Sequence, residues 1–219
     1  MSTAIGAGVT VHEAADPATD IWSTTPHLFT SLRPFFDGRV AAGESVWLYV
    51  HHHLHLTAGP AAARAFFWQL SRLGLDGCCL YGVNVWGPEP MTWTDDGLIQ
   101  HKTYVGYAAG DGVLYWPGPD GMLESVRLQL VRDGIEDWIV LSMLEQQVAQ
   151  ALERGDSDTP WVKQASIALR LRDALVGDDL LTGTEVFEHQ RDPRVFEQIR
   201  TAVGDALSAS APESRQDED

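Results

Sequence analysis

The sequence has few cysteines, few basic residues and no long apolar run, and each scarcity excludes a class of protein. Its only cysteines, Cys78 and Cys79, are adjacent within an apolar run. They cannot form the spaced disulfide framework of a small secreted domain, and we expect them to be buried structural thiols. Only 15 basic residues stand against 31 acidic ones, and the net charge of −16 argues against nucleic acid or anionic membrane as a partner.

The sequence also lacks targeting and membrane signals. No apolar run approaches the roughly 20 residues that a membrane span needs, and no basic region followed by an apolar region opens the chain. We therefore predict a cytoplasmic protein. At 219 residues the chain is long enough to bury a sizeable core.

Short runs of β-favouring residues alternate with helical segments in the first half of the chain. Almost continuous apolar residues in these runs are typical of strands that are covered on both faces. The predicted strands span residues 19–23, 45–50 and 77–86. Such an alternation predicts consecutive strand–helix units with a parallel sheet.

Proline marks the start of four predicted helices. Proline is tolerated at the first helical position because that amide has no partner within the helix. The four prolines are Pro26, Pro60, Pro160 and Pro193. Pro34 is expected to interrupt the first helix, and a further long helix is predicted over residues 124–154, with a bend at Gly134.

These elements suggest four parts of the chain. We predict a poorly ordered leader over residues 1–18, a partial α/β barrel over 19–154, a helical appendage over 155–207 and a disordered acidic tail over 208–219. A closed (β/α)8 barrel needs eight strand–helix units and usually about 250 residues. Three strands are identified here, with a fourth suggested at residues 112–116.

The predicted fold class is therefore α/β, as a partial (β/α)8 barrel of three to four strand–helix units followed by helices. Open apolar sheet edges pair readily with other chains. Either a second chain completes the sheet, as a homo-oligomer or a complementing barrel half, or the sequence is a piece of something longer.

Polar and aromatic residues follow the second and third predicted strands. The carboxyl ends of parallel strands meet at one mouth, where barrels and open sheets bind ligands. Tyr49, His51 and His53 mark the end of the second strand, and Asn84 and Trp86 that of the third. An amide beside an indole suits a sugar, which stacks on the ring and bonds the amide; the alternative is that Trp86 caps the core.

The histidine cluster leaves three interpretations open. In an extended segment His51, His53 and His55 would point the same way and could bind Zn²⁺. No nearby Asp or Glu would orient the imidazoles, so hydrogen bonding at the mouth and plain loop histidines are the alternatives. We assign no metal and no cofactor.

Acidic residues give no catalytic assignment. Glycoside cleavage needs two carboxyl groups, or one acid and a group that assists the substrate's acetamide. The mouth-loop candidates Glu89, Asp95, Asp96 and Asp111 lie away from predicted strand ends, and the only Asp-Glu dipeptide lies in the tail. The charges of residues 132–137 are expected to anchor a helix, with Arg132 pairing with Glu136.

Several short motifs follow one another in a fixed order over residues 20 to about 144. They are Asp20-Ile21-Trp22, Val46-Trp47-Leu48-Tyr49-Val50, Arg64, Trp68, Gly74, Gly77, Asn84, Trp86, Gly110-Asp111-Gly112, Tyr115, Pro117, Gly118, Ser125-Val126-Arg127-Leu128 and Arg132-Asp133-Gly134-Ile135-Glu136-Asp137. Taken in this order, they resemble the C-terminal part of the glycoside hydrolase family 123 catalytic domain.

The resemblance implies a (β/α)8 barrel to which this chain supplies the last strands and helices. Members of that family release N-acetylgalactosamine by a substrate-assisted mechanism that uses an adjacent Asp-Glu pair on an earlier strand. No counterpart of that pair lies in the matching part of this chain, whereas Tyr81 falls near an aromatic site position of the family.

The predicted function is therefore a glycoside-hydrolase-like domain that binds a carbohydrate through Tyr49, His51, His53, Tyr81, Asn84 and Trp86 but lacks the catalytic pair. The alternative is a non-catalytic carbohydrate-binding or assembly module that oligomerises through its sheet edges.

Overall fold

A computed structural model describes most of the chain as a mixed α/β protein. The described residues are 2–5, 9–12, 19–50, 60–80, 82–84, 92–93, 99–100, 113–118, 120–176 and 192–210. Two small antiparallel pairs stand apart from the main sheet: β1 (Ser2–Ile5) with β2 (Val9–His12), and β6 (Thr92–Trp93) with β7 (Ile99–Gln100). The first pair lies within the predicted leader, and the division into four parts stays a prediction.

The main sheet has three parallel strands in the order β3-β4-β5. They are β3 (Ile21–Thr24), β4 (Ser45–Val50) and β5 (Gly77–Leu80). The parallel sheet and the place of each strand along the chain confirm the predicted alternation. The third strand is shorter than the predicted residues 77–86, because Gly82 adopts a φ of 70° and turns the backbone out of the extended conformation.

The suggested fourth strand is part of a hairpin. Residues of β8 (Tyr115–Gly118) pair antiparallel with β9 (Gly121–Glu124), not with the parallel sheet. The prediction of a fourth parallel strand at 112–116 was therefore wrong. A parallel pair needs a crossover of about a dozen residues or more, whereas two residues separate these strands.

Six helices complete the described residues. They are α1 (Pro26–Ser31), α2 (Arg33–Ala41), α3 (Pro60–Arg72), α4 (Val126–Glu153), α5 (Pro160–Val176) and α6 (Pro193–Ser210). All four predicted proline starts are confirmed. The interruption of the first helix falls at Leu32, and Pro34 takes the second position of α2, where its missing amide costs no helical hydrogen bond.

Helices cover one face of the sheet. Val46, Leu48 and Val50 are almost fully buried and share a core cluster with side chains of α1, α2, α3 and α4. Their register partners point to the same side, since paired residues of neighbouring strands share a face. We call this side of the sheet the covered face.

The third helix is the centre of the packing. Its residues 62–71 are all buried, which is unusual for a helix that lies outside a sheet. One side of α3 joins the covered-face cluster through Phe66, Phe67 and Leu70, while the other joins a second cluster with α4, α5 and α6 through Ala65 and Trp68. The helices after residue 153 thus enclose a helix that the sheet alone would leave half exposed.

The long helix α4 runs without interruption through Gly134. A Cβ atom there would lie 2.5 Å from Cδ2 of Phe67 and 3.2 Å from Cα of Arg64. Glycine is therefore needed at this position for the close approach of α4 to α3. The bend of the helix at Gly134 stays a prediction. None of the helices in the described ranges is both long enough and apolar enough to cross a membrane.

Candidate functional site

The carboxyl ends of β4 and β5 lie side by side at one edge of the main sheet. In the parallel register Tyr49 is the partner of Cys79, and Val50 is the partner of Leu80. Chain segments that leave these strand ends therefore start from neighbouring points. This is the geometry that places ligand-binding residues of α/β proteins at a common mouth.

The side of the sheet opposite the covered face is uncharged and partly exposed. We call it the open face. It consists of Ile21, Ser23, Ser45, Trp47, Tyr49, Gly77 and Cys79, which alternate with the covered residues along the strands. The two core clusters of the described residues include none of these seven.

At the amino end of the sheet, one carboxylate contacts the open face and two other charged groups lie on the covered side. The hydroxyl of Ser45 donates to Asp76 over 2.6 Å, so this carboxylate is hydrogen-bonded at the end of the sheet remote from the mouth. The indole of Trp22 points to the covered side, where its Nε1 donates to Glu44 over 2.5 Å and the Arg39 guanidinium lies 5.0 Å from its ring.

Only two of the six predicted sugar-contacting residues fall within the described ranges. Tyr49 is half-buried on the open face. It is the second-last residue of β4, next to the mouth. Asn84 is exposed and pairs with Val113 in an isolated antiparallel bridge. His51, His53, Tyr81 and Trp86 lie outside the described residues, so their predicted contacts stay predictions.

The predicted extended backbone beyond Leu80 was wrong for the residues that can be described. The amides of Leu114 and Tyr115 donate to the carbonyl of Val83 over 2.8 and 3.1 Å. These bonds tie the turned segment to the base of the β8–β9 hairpin. Asn84 therefore lies beyond the end of β5 and does not continue that strand.

The adjacent cysteines occupy opposite faces of the sheet. Cys78 packs on the covered face beside Leu48, whereas Cys79 lies on the open face beside Tyr49. Neither forms a disulfide. Burial, reinforced by the neighbouring Cys79, raises the pKa of the Cys78 thiol to about 11, so it is protonated at neutral pH. Both thiols are half-buried, so the prediction of buried thiols holds only in part. Cys78 packs against the core cluster of the covered face, whereas Cys79 is not part of that cluster.

The charged motif at residues 132–137 anchors α4, as predicted. Arg132 pairs with Glu136 over 3.7 Å at the surface. Asp137 is 1% exposed and accepts hydrogen bonds from Arg64 Nε at 2.5 Å and Trp68 Nε1 at 2.8 Å. Its other oxygen lies 3.0 Å from Nε of Arg200, which joins α6 to the same carboxylate.

These contacts give Asp137 a structural role, as predicted for the motif. Burial alone would lower the pKa of Arg64, but its hydrogen bonds to Asp137 and Glu197 raise the pKa above the ordinary value, so the guanidinium stays charged. The carboxylate of Asp137 faces two cations and an indole between helices, on the far side of α3 from the sheet. It has a structural role there.

A second buried arginine holds α5 in place. Nη1 of Arg172 donates to Glu145 of α4 and, over 2.7 Å, to the hydroxyl of Ser71 in α3. Sequence reasoning did not find Arg172, nor a role for Arg64 and Trp68. Their partners lie far away along the chain, and an arginine within a helix is usually exposed.

The described residues hold no group of three or more His, Cys, Asp or Glu side chains that could bind a metal ion. The histidines at positions 51, 53 and 55 and the mouth-loop acids Glu89, Asp95, Asp96 and Asp111 lie outside those ranges. The metal and acid alternatives at the mouth are therefore untested.

One known protein family matches this part of the chain. The sequence matches the family described as “Glycoside hydrolase 123, catalytic domain” over residues 10–144, which is more than half of the chain. The match takes in the three parallel strands, the β8–β9 hairpin and α4 as far as Leu144. No curated protein matches the chain.

Proposed function

Because the chain belongs to the glycoside hydrolase 123 family, we propose that it forms the last three strand–helix units of a (β/α)8 barrel and binds a carbohydrate at their carboxyl ends. The single observation that carries the proposal is that, in a chain with this family match, the described helices cover only one face of the sheet. An open doubly wound sheet would have helices on both faces, whereas a barrel has helices outside and side chains within.

The helix directions agree with a barrel. Arg64 and Ser71 of α3 contact Asp137 and Glu145 of α4, so the two helices run in the same direction. Neighbouring outer helices of a (β/α)8 barrel are parallel for the same reason that its strands are. In this proposal residues 19–154 are the barrel part and 155–207 a helical appendage that covers α3.

Carbohydrate contact is assigned to the mouth above the open face. Tyr49 offers a phenol at the end of β4, and Asn84 an exposed amide after β5. A phenol and an amide are the neutral donors and acceptors that sugar hydroxyls bond. His51, His53, Tyr81 and Trp86 extend the same proposed site from the neighbouring segments.

Catalysis by this chain alone is not expected. The family's adjacent Asp-Glu pair has no counterpart in residues 10–144, because the only such dipeptide is Asp217-Glu218. Hydrolysis would then require strands from outside this sequence, supplied by a complementing barrel half.

The unpaired sheet edges favour a second candidate function. Of the described strands, none pairs with the outer edge of β3 or of β5, and Ile21 on β3 is 49% exposed. A carbohydrate-binding module that oligomerises through these edges would use the same open strands. Light scattering separates the two candidates, since a stable monomer contradicts edge-paired assembly.

The test uses the full chain and two assays. Titration with methyl N-acetyl-β-galactosaminide, followed by isothermal calorimetry, should show saturable binding that Tyr49→Ala weakens at least threefold. Glu124→Gln, which changes an exposed residue of the hairpin, serves as the control. An aryl N-acetyl-β-galactosaminide should not be hydrolysed. Hydrolysis that survives alanine at each mouth-loop acid would contradict the missing pair, and absence of sugar binding would contradict the function.

A further inference from the structure

Three large apolar side chains lie exposed along one side of α4. Ile135, Ile139 and Met143 follow one another at intervals of four residues, so they share one side of the helix. Their exposed fractions are 40%, 54% and 48%, and neither core cluster of the described residues includes them. Single exposed apolar residues are common on proteins, whereas a row of them is typical of a contact surface. We call these three residues the α4 stripe.

The α4 stripe lies on the side of the helix that faces away from α3. Asp137 of α4 accepts a hydrogen bond from Arg64 of α3. Leu141 belongs to the core cluster that contains Trp68 of α3. Ile139 is two residues from both Asp137 and Leu141, which on an α-helix turns its side chain nearly opposite to theirs. Helix α4 therefore has α3 on one side and a half-exposed apolar row on the other.

The sheet-facing side of α4 extends past the last described strand. Val131 is 6% exposed and packs in the cluster of the covered face. Ile135 comes one turn later on the same side of the helix but is 40% exposed. Of the described strands, none pairs with the outer edge of β5. A strand added at that edge would lie beneath Ile135, where the present sheet ends.

The order of the units shows where the next helix would lie. The strands advance across the sheet as β3, β4 and β5, and the helices that follow the last two, α3 and α4, advance in the same direction and pack side by side. A further unit would place its strand beside β5 and its helix beside α4, on the side opposite α3. The α4 stripe occupies that side.

Charge along the α4 stripe also favours a protein contact. The charged residues beside it are Arg132 and Glu136, which pair over 3.7 Å, and Glu136 lies 3.5 Å from Arg200 as well. These charges need no partner from outside, although the chain carries a net charge of −16. Two copies of so acidic a chain repel each other, which disfavours a second copy as the occupant.

We propose that the α4 stripe and the outer edge of β5 together bind the first strand–helix unit of a five-unit barrel half. This inference rests on the proposed function, because it assigns the surface at which the complementing half joins this chain. The first strand of that half extends the parallel sheet at β5, and an apolar side of its first helix packs along the α4 stripe. Two copies of this chain would supply six strands, whereas a (β/α)8 barrel needs eight.

The experiment uses the full chain and a defined partner. The partner is the catalytic domain of a complete member of the glycoside hydrolase 123 family with its last three strand–helix units removed, chosen because it rebinds those units when they are added back. Ile139→Arg places a charge in the α4 stripe. Ile167→Arg on α5 is the matched control, because Ile167 is 51% exposed and lies outside the stripe. Binding is measured by analytical ultracentrifugation, and circular dichroism checks that both variants are folded.

We expect the unaltered chain and Ile167→Arg to form a 1:1 complex with the partner. Ile139→Arg should weaken that complex by about tenfold or more, because a charge would be buried in an apolar contact. Met143 provides a second readout that needs no substitution. Its oxidation by hydrogen peroxide, followed by peptide mass spectrometry, should slow by about tenfold or more in the complex, because the thioether becomes inaccessible.

Each contrary result has its own meaning. If Ile139→Arg binds the partner as tightly as the unaltered chain, or Met143 is oxidised equally fast in the complex, the α4 stripe is not the joint. If the unaltered chain forms a dimer that Ile139→Arg dissociates, the occupant is a second copy and the inference is wrong. If the unaltered chain does not bind the partner, the inference is overturned too, and the sugar titration of the chain alone then decides whether the proposed function stands.

Discussion

The two faces of the three-stranded sheet are made from alternate residues of the same strands, but their surroundings differ sharply. On β4, Val46, Leu48 and Val50 are at most 2% exposed and pack under four helices, while Trp47 and Tyr49 between them are half-buried and join no core cluster of the described residues. Side-chain alternation separates the two roles. One face stabilises the fold, and the other is available for recognition or for completion of a barrel.

The covered face itself depends on contacts beyond the sheet. Helix α3 lies between the sheet and the helices α4, α5 and α6. Its Arg64 binds Asp137 on α4, and Arg172 of α5 donates both to Ser71 of α3 and to Glu145 of α4. Burial of the covered face is therefore maintained by charges placed on the opposite side of α3.

The largest expected effect comes from breaking that charged anchor. Asp137→Ala leaves the guanidiniums of Arg64 and Arg200 without their buried partner, and loss of one partner of a buried ion pair typically costs about 3–5 kcal/mol. Urea unfolding should show this loss in the free energy of unfolding. Asp133→Ala in the same motif is the control and should cost under about 1 kcal/mol, because its pair with Arg132 is at the surface. Equal costs would contradict the anchoring role.

The next effect compares neighbouring residues of β4. Leu48→Ala removes a fully buried side chain from the covered face and should lower the free energy of unfolding by about 2–5 kcal/mol. Tyr49→Phe changes only a hydroxyl on the open face and should cost under about 1.5 kcal/mol. Urea unfolding of the two variants measures the difference between the faces, and a larger cost for Tyr49→Phe would reverse their assignment.

A smaller effect is expected at alkaline pH. Burial raises the pKa of Cys78 from 9.0 to about 11, so between these values the unfolded chain loses a proton that the folded chain keeps. The free energy of unfolding should therefore fall as pH rises from about 9 to about 11, and this part of the fall should be missing in Cys78→Ser. Cys79→Ser should retain it. An identical alkaline profile for Cys78→Ser and the unaltered chain would show that Cys78 is not buried as described.

Much of the fold could be predicted from local sequence signals. Proline at the first helical position located four helix starts, and the β-favouring run at residues 45–50 gave the bounds of β4. Local signals failed where the backbone conformation of a single residue decides the outcome. The apolar run after Leu80 reads as a continuing strand, but the positive φ of Gly82 ends it, and the hairpin after residue 114 cannot be told from a parallel strand by composition.

The candidate site was only partly predictable. Placement of Tyr49 at a strand end followed from the strand pattern. The close contact of the Trp47 indole with Gly77, by contrast, depends on the register between two strands, and these residues are 30 positions apart in the sequence. The apolar strands suggested two covered faces, whereas the described helices cover one. Arg64, Trp68 and Asp137 likewise form their cluster across about 70 residues, a separation that sequence periodicity does not encode.

The most direct test of the two-face account uses Cys78 and Cys79, which are neighbours in sequence and lie on opposite faces. Single-cysteine variants, Cys78→Ser and Cys79→Ser, are alkylated with iodoacetamide at pH 8 in the presence and absence of methyl N-acetyl-β-galactosaminide, and the rates are measured by mass spectrometry. We predict that Cys79 reacts at least tenfold faster than Cys78 and that the sugar slows Cys79 alone. Equal rates, or protection of Cys78 by the sugar, would contradict the account.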